Sequence, residues 1–477
     1  MLFVGLCQRA ALLLFIILTA CTPFVPRRPL TSYFKEVETL LAAQEYSQAA
    51  RLLEEAAQAH PEDTRSLLRL GQIYLRQGQP VAAEDAFNRA LARNLSYAPA
   101  MAGLAEAKLH QGDLGQALHF WQEAAEVNPD LPGVYTGLGR THLLRFEFEQ
   151  AEEAFLTQQA RRPDPEAQWY LAALAAPSEF TAANNYLLSI PHNAAADILA
   201  RRDYLLAALV PFTTESAQAE IAQAVGIAFV QVEQWPLAVH ALTAAAQYPE
   251  QSAAEKAESL AFLGHALAQA GRPALDLFEQ AAALNPDSAL PLYFYGLYLR
   301  EQGALNAAEA TFIRAIELDP DNAAIYIELA DTKAEQGIFS AAEQYYQAAA
   351  RIAPDDPRIQ LLAIQFYANR GYRLAEEGIP AAQALIEEDP NNAEAYDLLG
   401  WMQLLIGATA EAETSLRKAI ELDPHLISAH YHLARSLETG GKITEAIDQY
   451  RHVVETDTTG LFRSRAIEAL SRLEQSQ

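Results

Sequence analysis

The chain is poor in cysteine and in basic residues. Its 477 residues include only two cysteines, Cys7 and Cys21, both near the N-terminus, which excludes a domain held together by disulfide bonds. Lysine and arginine number 34 against 61 aspartates and glutamates, a formal net charge of −27. Binding to nucleic acid needs a basic surface that neutralises phosphates, so no nucleic acid is expected as a partner.

Long apolar runs are also scarce. The run at residues 10–18 follows Arg9 and is too short to span a bilayer as a helix, which takes about 20 residues. Its length is typical of the apolar part of a secretory signal peptide. The alternative is an uncleaved anchor over residues 2–20, but such an anchor would include the polar residues Gln8 and Arg9.

The apolar run ends at residues 18–21 with the sequence Leu-Thr-Ala-Cys. This tetrapeptide resembles the lipobox of bacterial lipoproteins, in which an aliphatic and two small residues precede the cysteine that carries the lipid. The resemblance implies a signal peptide over residues 1–20 and a lipid on Cys21. Two or three acyl chains, at roughly 0.8 kcal/mol per buried methylene, hold a folded domain at a membrane. Residues 21–29, with proline at every third position from Pro23, predict a stiff tether.

From about residue 30 onward the sequence repeats with a period of 34 residues. Small residues recur at the eighth and twentieth positions, and large residues recur at the fourth, seventh, eleventh and twenty-fourth. This spacing predicts two antiparallel helices that approach closely at the small residues, while the large residues fill the remaining space. Two of the repeats show Leu67, Leu70, Gly71, Tyr74, Ala83, Phe87 and Ala90, and Leu292, Tyr295, Gly296, Leu299, Ala308, Phe312, Ala315 and Pro320.

This pattern resembles the tetratricopeptide repeat, a helix-turn-helix unit. The resemblance implies an all-α fold, an α-α superhelical solenoid of helix pairs closed by a C-terminal capping helix. Four repeats form an N-terminal array over residues 30–165, and seven form a C-terminal array over residues 219–460. The second array has repeats that begin at residues 219, 257, 289, 323, 357, 393 and 427. Residues 461–477 are expected to be the capping helix.

Residues 166–218 lack the signature of the repeat. Three helical stretches are predicted there, over residues 169–176, 181–190 and 194–210, and prolines follow each of them. The third stretch has no partner helix, so the alternation of paired helices is broken at this irregular joint. We expect either a bend of the array here or the end of one groove and the start of another.

The sequence predicts no catalytic or metal site. His425, His430 and His432 form a cluster, but on a helix His430 and His432 point about 200° apart and cannot share a metal ion as residues at i and i+4 can. Most acidic residues are expected on solvated faces, without the paired arrangement that acid–base catalysis needs. We therefore expect no enzymatic activity, no metal ion and no small-molecule cofactor.

In the tetratricopeptide-repeat family, the first helix of each repeat lines an inner groove. Its second, fifth, ninth, twelfth and thirteenth positions are the most exposed, and in the C-terminal array these positions carry mainly apolar and aromatic residues. The resemblance therefore implies a groove for peptides held by apolar anchors. The alternative is that these side chains simply fill a tight superhelix. The candidate groove residues are Tyr293, Leu297, Ile327, Asp331, Leu361, Asp397, Trp401, Leu405, Tyr431 and Arg435.

These features together predict a non-enzymatic scaffold that binds protein or peptide segments. The N-terminal lipid would tether it to a membrane of the bacterial cell envelope, outside the cytoplasm, for a role in envelope assembly or export. Two alternatives stay open: a lipoprotein that binds glycan or cell wall by aromatic stacking, and an accessory subunit of an enzyme on another chain. Soluble saccharide would compete with a glycan ligand, whereas a peptide would depend on apolar anchors.

Overall fold

The computed structural model describes residues 27–457 and 460–475, and only the backbone of residues 474 and 475. In these ranges the regular structure consists of 26 α-helices and one π-helical turn, without a β-strand. The predicted all-α fold of helix pairs with a C-terminal capping helix is confirmed. The predicted signal peptide, Cys21 and most of the tether lie outside the described residues. None of the described helices combines the length and apolar composition that a membrane span requires.

The described residues divide into two compact units, with the boundary between Pro249 and Glu250. The first unit contains four regular helix pairs, one shorter pair, one single helix and a last pair. The regular pairs are α1 (Leu30–Ala42) and α2 (Tyr46–Ala59), α3 (Arg65–Arg76) and α4 (Pro80–Arg93), α5 (Ala98–His110) and α6 (Leu114–Val127), and α7 (Val134–Leu144) and α8 (Phe148–Arg161). The shorter pair is α9 (Pro165–Ala175) and α10 (Phe180–Ser189), the single helix is α11 (Ala196–Leu209), and the last pair is α12 (Gln218–Gln231) and α13 (Trp235–Gln247).

The predicted joint corresponds to α9, α10 and α11, and α11 has no antiparallel partner of its own; it packs against α9 and α12. Helix α9 also packs against α13. The Nε2 atom of His240 lies 3.0 Å from the carbonyl oxygen of Leu174, and the Tyr248 hydroxyl donates a hydrogen bond to the carbonyl of Pro177. The joint and the repeat after it therefore belong to the first unit. The unit boundary falls later in the chain than the division predicted from the repeats, whose bounds stay a prediction.

The second unit contains six helix pairs and one final helix. The pairs are α14 (Ala253–Gln269) and α15 (Leu275–Leu284), α16 (Ala289–Glu301) and α17 (Leu305–Leu318), α18 (Ala323–Glu335) and α19 (Phe339–Ile352), α20 (Pro357–Arg370) and α21 (Ile379–Glu388), α22 (Ala393–Leu405) and α23 (Thr409–Leu422), and α24 (Ile427–Thr439) and α25 (Ile443–Thr456). The final helix is α26 (Arg463–Gln475), and it packs on α25 as the predicted cap. Its Ala466 and Leu473 are buried, and Leu470 packs against the same core cluster.

Close approach of helices depends on glycine facing an aromatic ring. The Phe87 ring of α4 is fully buried. A Cβ atom on Gly71, in the same repeat, would lie 2.5 Å from its Cε1 atom, and a Cβ atom on Gly103, in the next repeat, would lie equally close. The same pattern recurs where Trp121 would meet a Cβ atom on Gly137 at 2.3 Å. In both cases a large side chain of one repeat packs against a glycine of the next repeat. We call the space that these glycines leave for the ring a notch.

Candidate functional site

A cleft of about 870 Å³ lies within the second unit. We call it the C-terminal cleft. Its walls come from α20, α22 and α24, which are the first helices of three consecutive repeats, and from the segment that leads into α26. The lining side chains that the argument uses are Arg370, Glu394, Asp397, Trp401, Leu405, Tyr431, His432, Arg435, Phe462 and Arg465.

Half of the candidate groove residues lie in this cleft. They are Asp397, Trp401, Leu405, Tyr431 and Arg435. The other five lie elsewhere in the second unit. Ile327 and Leu361 pack against the core cluster around α18–α22, and Tyr293 and Leu297 pack against the cluster between α16 and α18. Asp331 lies beside Arg300, in a separate charged cluster.

At the centre of the cleft an indole ring lies on an imidazole ring. The ring centroids of Trp401 and His432 are 4.4 Å apart and the planes differ by 17°. The Nδ1 atom of His432 lies 2.7 Å from Oδ1 of Asp397, and both of these side chains are buried. Because the carboxylate accepts this hydrogen bond, Nδ1 is the donor and the imidazole is held flat beneath Trp401. The Nε2 atom of His432 has no hydrogen-bond partner among the described residues.

Two candidate residues are less accessible than the repeat register predicts. Tyr431 is 6% exposed because the rings of Phe462 and Tyr450 pack on it, with centroids 5.1 Å and 6.0 Å away. Asp397 is 4% exposed because His432, from the following repeat, covers it. For these two residues the structure differs from the expected exposed position, although both still line the cleft. Leu405 is 44% exposed, and Trp401 is half-buried.

Three exposed arginines bring positive charge to the cleft. Arg370 ends α20, Arg435 lies in α24 and Arg465 lies in α26. No salt bridge among the described residues includes any of the three. Burial alone would lower the pKa of Arg435, but the Tyr431 hydroxyl and the nearby charge of Glu438 outweigh burial and hold this pKa above its usual value.

A second charged cluster surrounds Arg300, at the end of α16. Its guanidinium nitrogens lie 2.6 Å from Oε2 of Glu328, 3.4 Å from Asp331 and 3.7 Å from Glu335. Burial raises the pKa of Glu328 to about 7; Arg300 opposes this increase, whereas the charges of Asp331 and Glu335 add to it. One guanidinium therefore faces three carboxylates.

The clustered histidines His430 and His432 contact different neighbours. In the described ranges, no group of three or more His, Cys, Asp or Glu side chains is placed to hold a metal ion. The Nδ1 atom of His430 lies 2.7 Å from Gln449 Oε1, and its Nε2 atom lies 3.0 Å from the carbonyl oxygen of Pro424. His432 instead contacts Asp397. The hydrogen bond to Asp397 fixes the orientation of the His432 ring.

Sequence reasoning missed the other lining residues of the cleft, among them Arg370, His432, Phe462 and Arg465. Phe462 belongs to residues 461–477, the segment predicted as the cap, and it contacts Tyr431 from there. His432 lies at the sixth position of its repeat, next to the fifth position occupied by the candidate Tyr431. Arg370 ends the first helix of its repeat and Arg465 lies in the capping helix, and neither is one of the groove positions of the repeat.

Family models of the tetratricopeptide repeat match four segments of the chain. One model matches residues 34–99, 74–134 and 362–427, and a second matches residues 299–364. The first two segments lie in the first unit, and the other two lie in the second unit. Segments of both units therefore match the tetratricopeptide repeat.

Several solved structures are similar in the arrangement of their helices. The crystal structure of the yeast Tom70 is 15% identical, covers 94% of this chain and 96% of that chain, and gives a TM-score of 0.42. YrrB, described as a TPR protein with an unusual peptide-binding site, is 18% identical over 40% of this chain and 97% of its own, with a TM-score of 0.30. MamA from Desulfovibrio magneticus RS-1 is 16% identical over 36% of this chain and 96% of its own, with a TM-score of 0.31. No curated protein sequence matches the chain. These identities are too low to indicate a partner.

Proposed function

We propose that this chain, in which segments of both units match the tetratricopeptide repeat, is a non-enzymatic scaffold that binds a protein or peptide segment in the C-terminal cleft. The observation that carries the proposal is the cleft itself, where five residues chosen from the repeat register lie together. A concave site with a few exposed apolar groups and several polar groups suits an extended or helical peptide.

The exposure of the aromatic rings favours a peptide over a glycan. A sugar ring stacks on an open aromatic face. His432 covers one face of Trp401, and Tyr431 is buried under Phe462 and Tyr450. Leu405 remains exposed beside Trp401, which offers contact to an apolar side chain of a peptide.

We further propose that a lipid on Cys21 tethers the scaffold to a membrane of the bacterial cell envelope. The protein would then act outside the cytoplasm, in envelope assembly or export. The support for this part is the sequence of residues 10–21, a short apolar run followed by Leu-Thr-Ala-Cys.

Replacement of Trp401 by alanine tests the cleft. The indole ring is half-buried, stacks on His432 and also packs against the core cluster around α18–α22, so its loss removes contact surface of the cleft together with a part of the packing. Aromatic anchors at interfaces contribute about 2 kcal/mol or more on truncation, and we expect partner capture to fall by at least tenfold. Capture is measured by crosslinking the protein in its own envelope, and stability by the melting temperature.

The matched control is Trp235→Ala, which removes a half-buried tryptophan from the first unit, outside the cleft. We expect this variant to capture the partner normally. Unchanged capture by Trp401→Ala would contradict the proposal. So would a loss of stability of several kcal/mol, the size of a core cavity, because Trp401 would then be a core residue.

A further inference from the structure

Guanidinium groups and carboxylates are unevenly distributed around the C-terminal cleft. Acidic residues outnumber basic residues in the chain by 61 to 34. Elsewhere in the second unit, Arg300, Arg373 and Arg417 each contact carboxylates, whereas the exposed Arg314 and Arg351 form no salt bridge with a described residue but do not line the cleft. The three cleft arginines form no such salt bridge with another described residue.

The carboxylates near these arginines are already engaged. Asp397 accepts the hydrogen bond of His432. Glu438, which is near Arg435, accepts hydrogen bonds from the Tyr450 hydroxyl and from Arg472, at 2.7 Å and 2.6 Å. Glu394 is the remaining carboxylate among the described lining residues. The described lining thus carries the guanidinium groups of Arg370, Arg435 and Arg465 against the carboxylates of Glu394 and Asp397, a small positive excess on a strongly acidic protein.

We infer that the C-terminal cleft recognises a peptide segment that carries several carboxylates next to an apolar side chain. Arg370, Arg435 and Arg465 would hold the carboxylates, because the planar guanidinium binds carboxylates through paired hydrogen bonds. Trp401 and Leu405 would cover the apolar side chain. This inference rests on the proposed function and adds the charge of the partner to it.

The overall charge of the protein makes this assignment selective. A net charge of −27 repels acidic segments from most of the surface, so an acidic peptide is attracted most where several arginines line one concave site. The attraction between exposed charges is screened by salt. Binding of such a peptide therefore weakens as the ionic strength increases.

The test uses a displayed library of random linear peptides selected on the full chain. We expect the selected peptides to be rich in Asp and Glu beside an aliphatic or aromatic residue. The affinity of one selected peptide is then measured by fluorescence anisotropy for the wild type and for the variant R370E/R435E/R465E. We expect at least a tenfold loss of affinity, because the variant lacks all three guanidinium groups that would bind the carboxylates and carries repelling charges in their place.

The matched control is R51E/R314E/R351E, which makes the same charge change at three exposed arginines outside the cleft. We expect less than a threefold effect. R435Q removes one charge without reversing it and serves if the triple variant does not fold, as judged by circular dichroism. It should weaken the same peptide by several-fold.

The outcomes separate the inference from the proposed function. Selected peptides without acidic residues that are lost with Trp401→Ala would overturn the inference and leave peptide binding in the cleft intact. Acidic peptides that bind the cleft variants as well as the wild type would also overturn it. Failure to select any peptide, or selection of peptides insensitive to both Trp401→Ala and the arginine variants, would overturn the inference and the proposed function together.

Discussion

The contact between Gly71 and Phe87 gives a quantitative test of how the repeats pack. In Gly71→Ala the new Cβ atom would lie 2.5 Å from Cε1 of Phe87, which is 0.9 Å closer than the 3.4 Å at which ordinary contact begins. The ring cannot simply move toward the next repeat. The same three ring atoms would meet a Cβ atom on Gly103 at 2.5–2.7 Å, so the edge of the ring lies between the two helices.

Two effects of opposite sign decide the stability of Gly71→Ala. Overpacking of a filled core costs about 1–3 kcal/mol, whereas replacing glycine by alanine within a helix gains about 1 kcal/mol. Because the ring is fully buried and held on both sides, we expect the cost of overpacking to lie near the upper end of this range. The net loss in the free energy of unfolding is then about 1–2 kcal/mol.

Gly115→Ala is the matched control, since Gly115 lies in α6 and its Cβ atom would have only the Asp113 side chain at 3.6 Å. We expect this variant to be as stable as the wild type or slightly more stable. Hydrogen exchange of the peptides that cover α3 and α4 reads the local opening free energy in the full chain.

A further variant, at Phe87, tests whether contact with this ring causes the loss of stability. Phe87→Leu shortens the side chain that Gly71→Ala would strike, so the two substitutions should be strongly non-additive, with the double variant less destabilised than the sum of the single ones. If Gly71→Ala is as stable as Gly115→Ala, or if the effects of the two substitutions add, the packing argument is refuted.

Two further predictions concern the tether and the Arg300 cluster. Cys21→Ser should leave an unprocessed precursor and abolish labelling with radioactive palmitate, and unchanged labelling would rule out Cys21 as the lipidated residue. The pKa of Glu328 is raised from 4.5 to about 7 in the folded chain, so the folded state keeps a proton that the unfolded state releases. Stability should therefore be fully retained below about pH 4.5 and then decrease, by about 3 kcal/mol, as the pH rises from there through about 7. Glu328→Gln should remove this decrease, as measured by denaturant titrations at several pH values. The same change at the exposed Glu335 is the control and should leave the decrease in place. An equal dependence of stability on pH in the wild type and in Glu328→Gln would exclude Glu328 as its source.

The helix pairs could be predicted because their signal is local. Repeats predicted to begin at residues 393 and 427 have first helices that begin at Ala393 and Ile427. The repeat predicted at residue 257 begins earlier, at Ala253, because Ser252 and Glu255 form a reciprocal capping box at the start of α14. The spacing of Ser252 and Glu255 is itself a sequence signal for a helix start.

The boundary of the units and the interior of the cleft depend on contacts that do not recur with the 34-residue period of the repeats. Hydrogen bonds of His240 and Tyr248 join α13 to α9, and no repeat position predicts them. In the cleft, the register placed Asp397 and Trp401 on one face. It could not show that His432 would bury Asp397, or that Phe462 from the capping segment would cover Tyr431.

The notch that Gly71 and Gly103 form around Phe87 limits how the chain can be rearranged by duplication. Gly103 and Gly137 lie at the sixth position of their repeats. There they face the rings of Phe87 and Trp121, respectively, from the preceding repeat. At the same position other repeats carry Glu328, Leu398 or His432. A repeat copied or moved to another place in the array would bring a side chain without its matching notch. Each repeat is thus fitted to its neighbour, and their order is encoded in the packing.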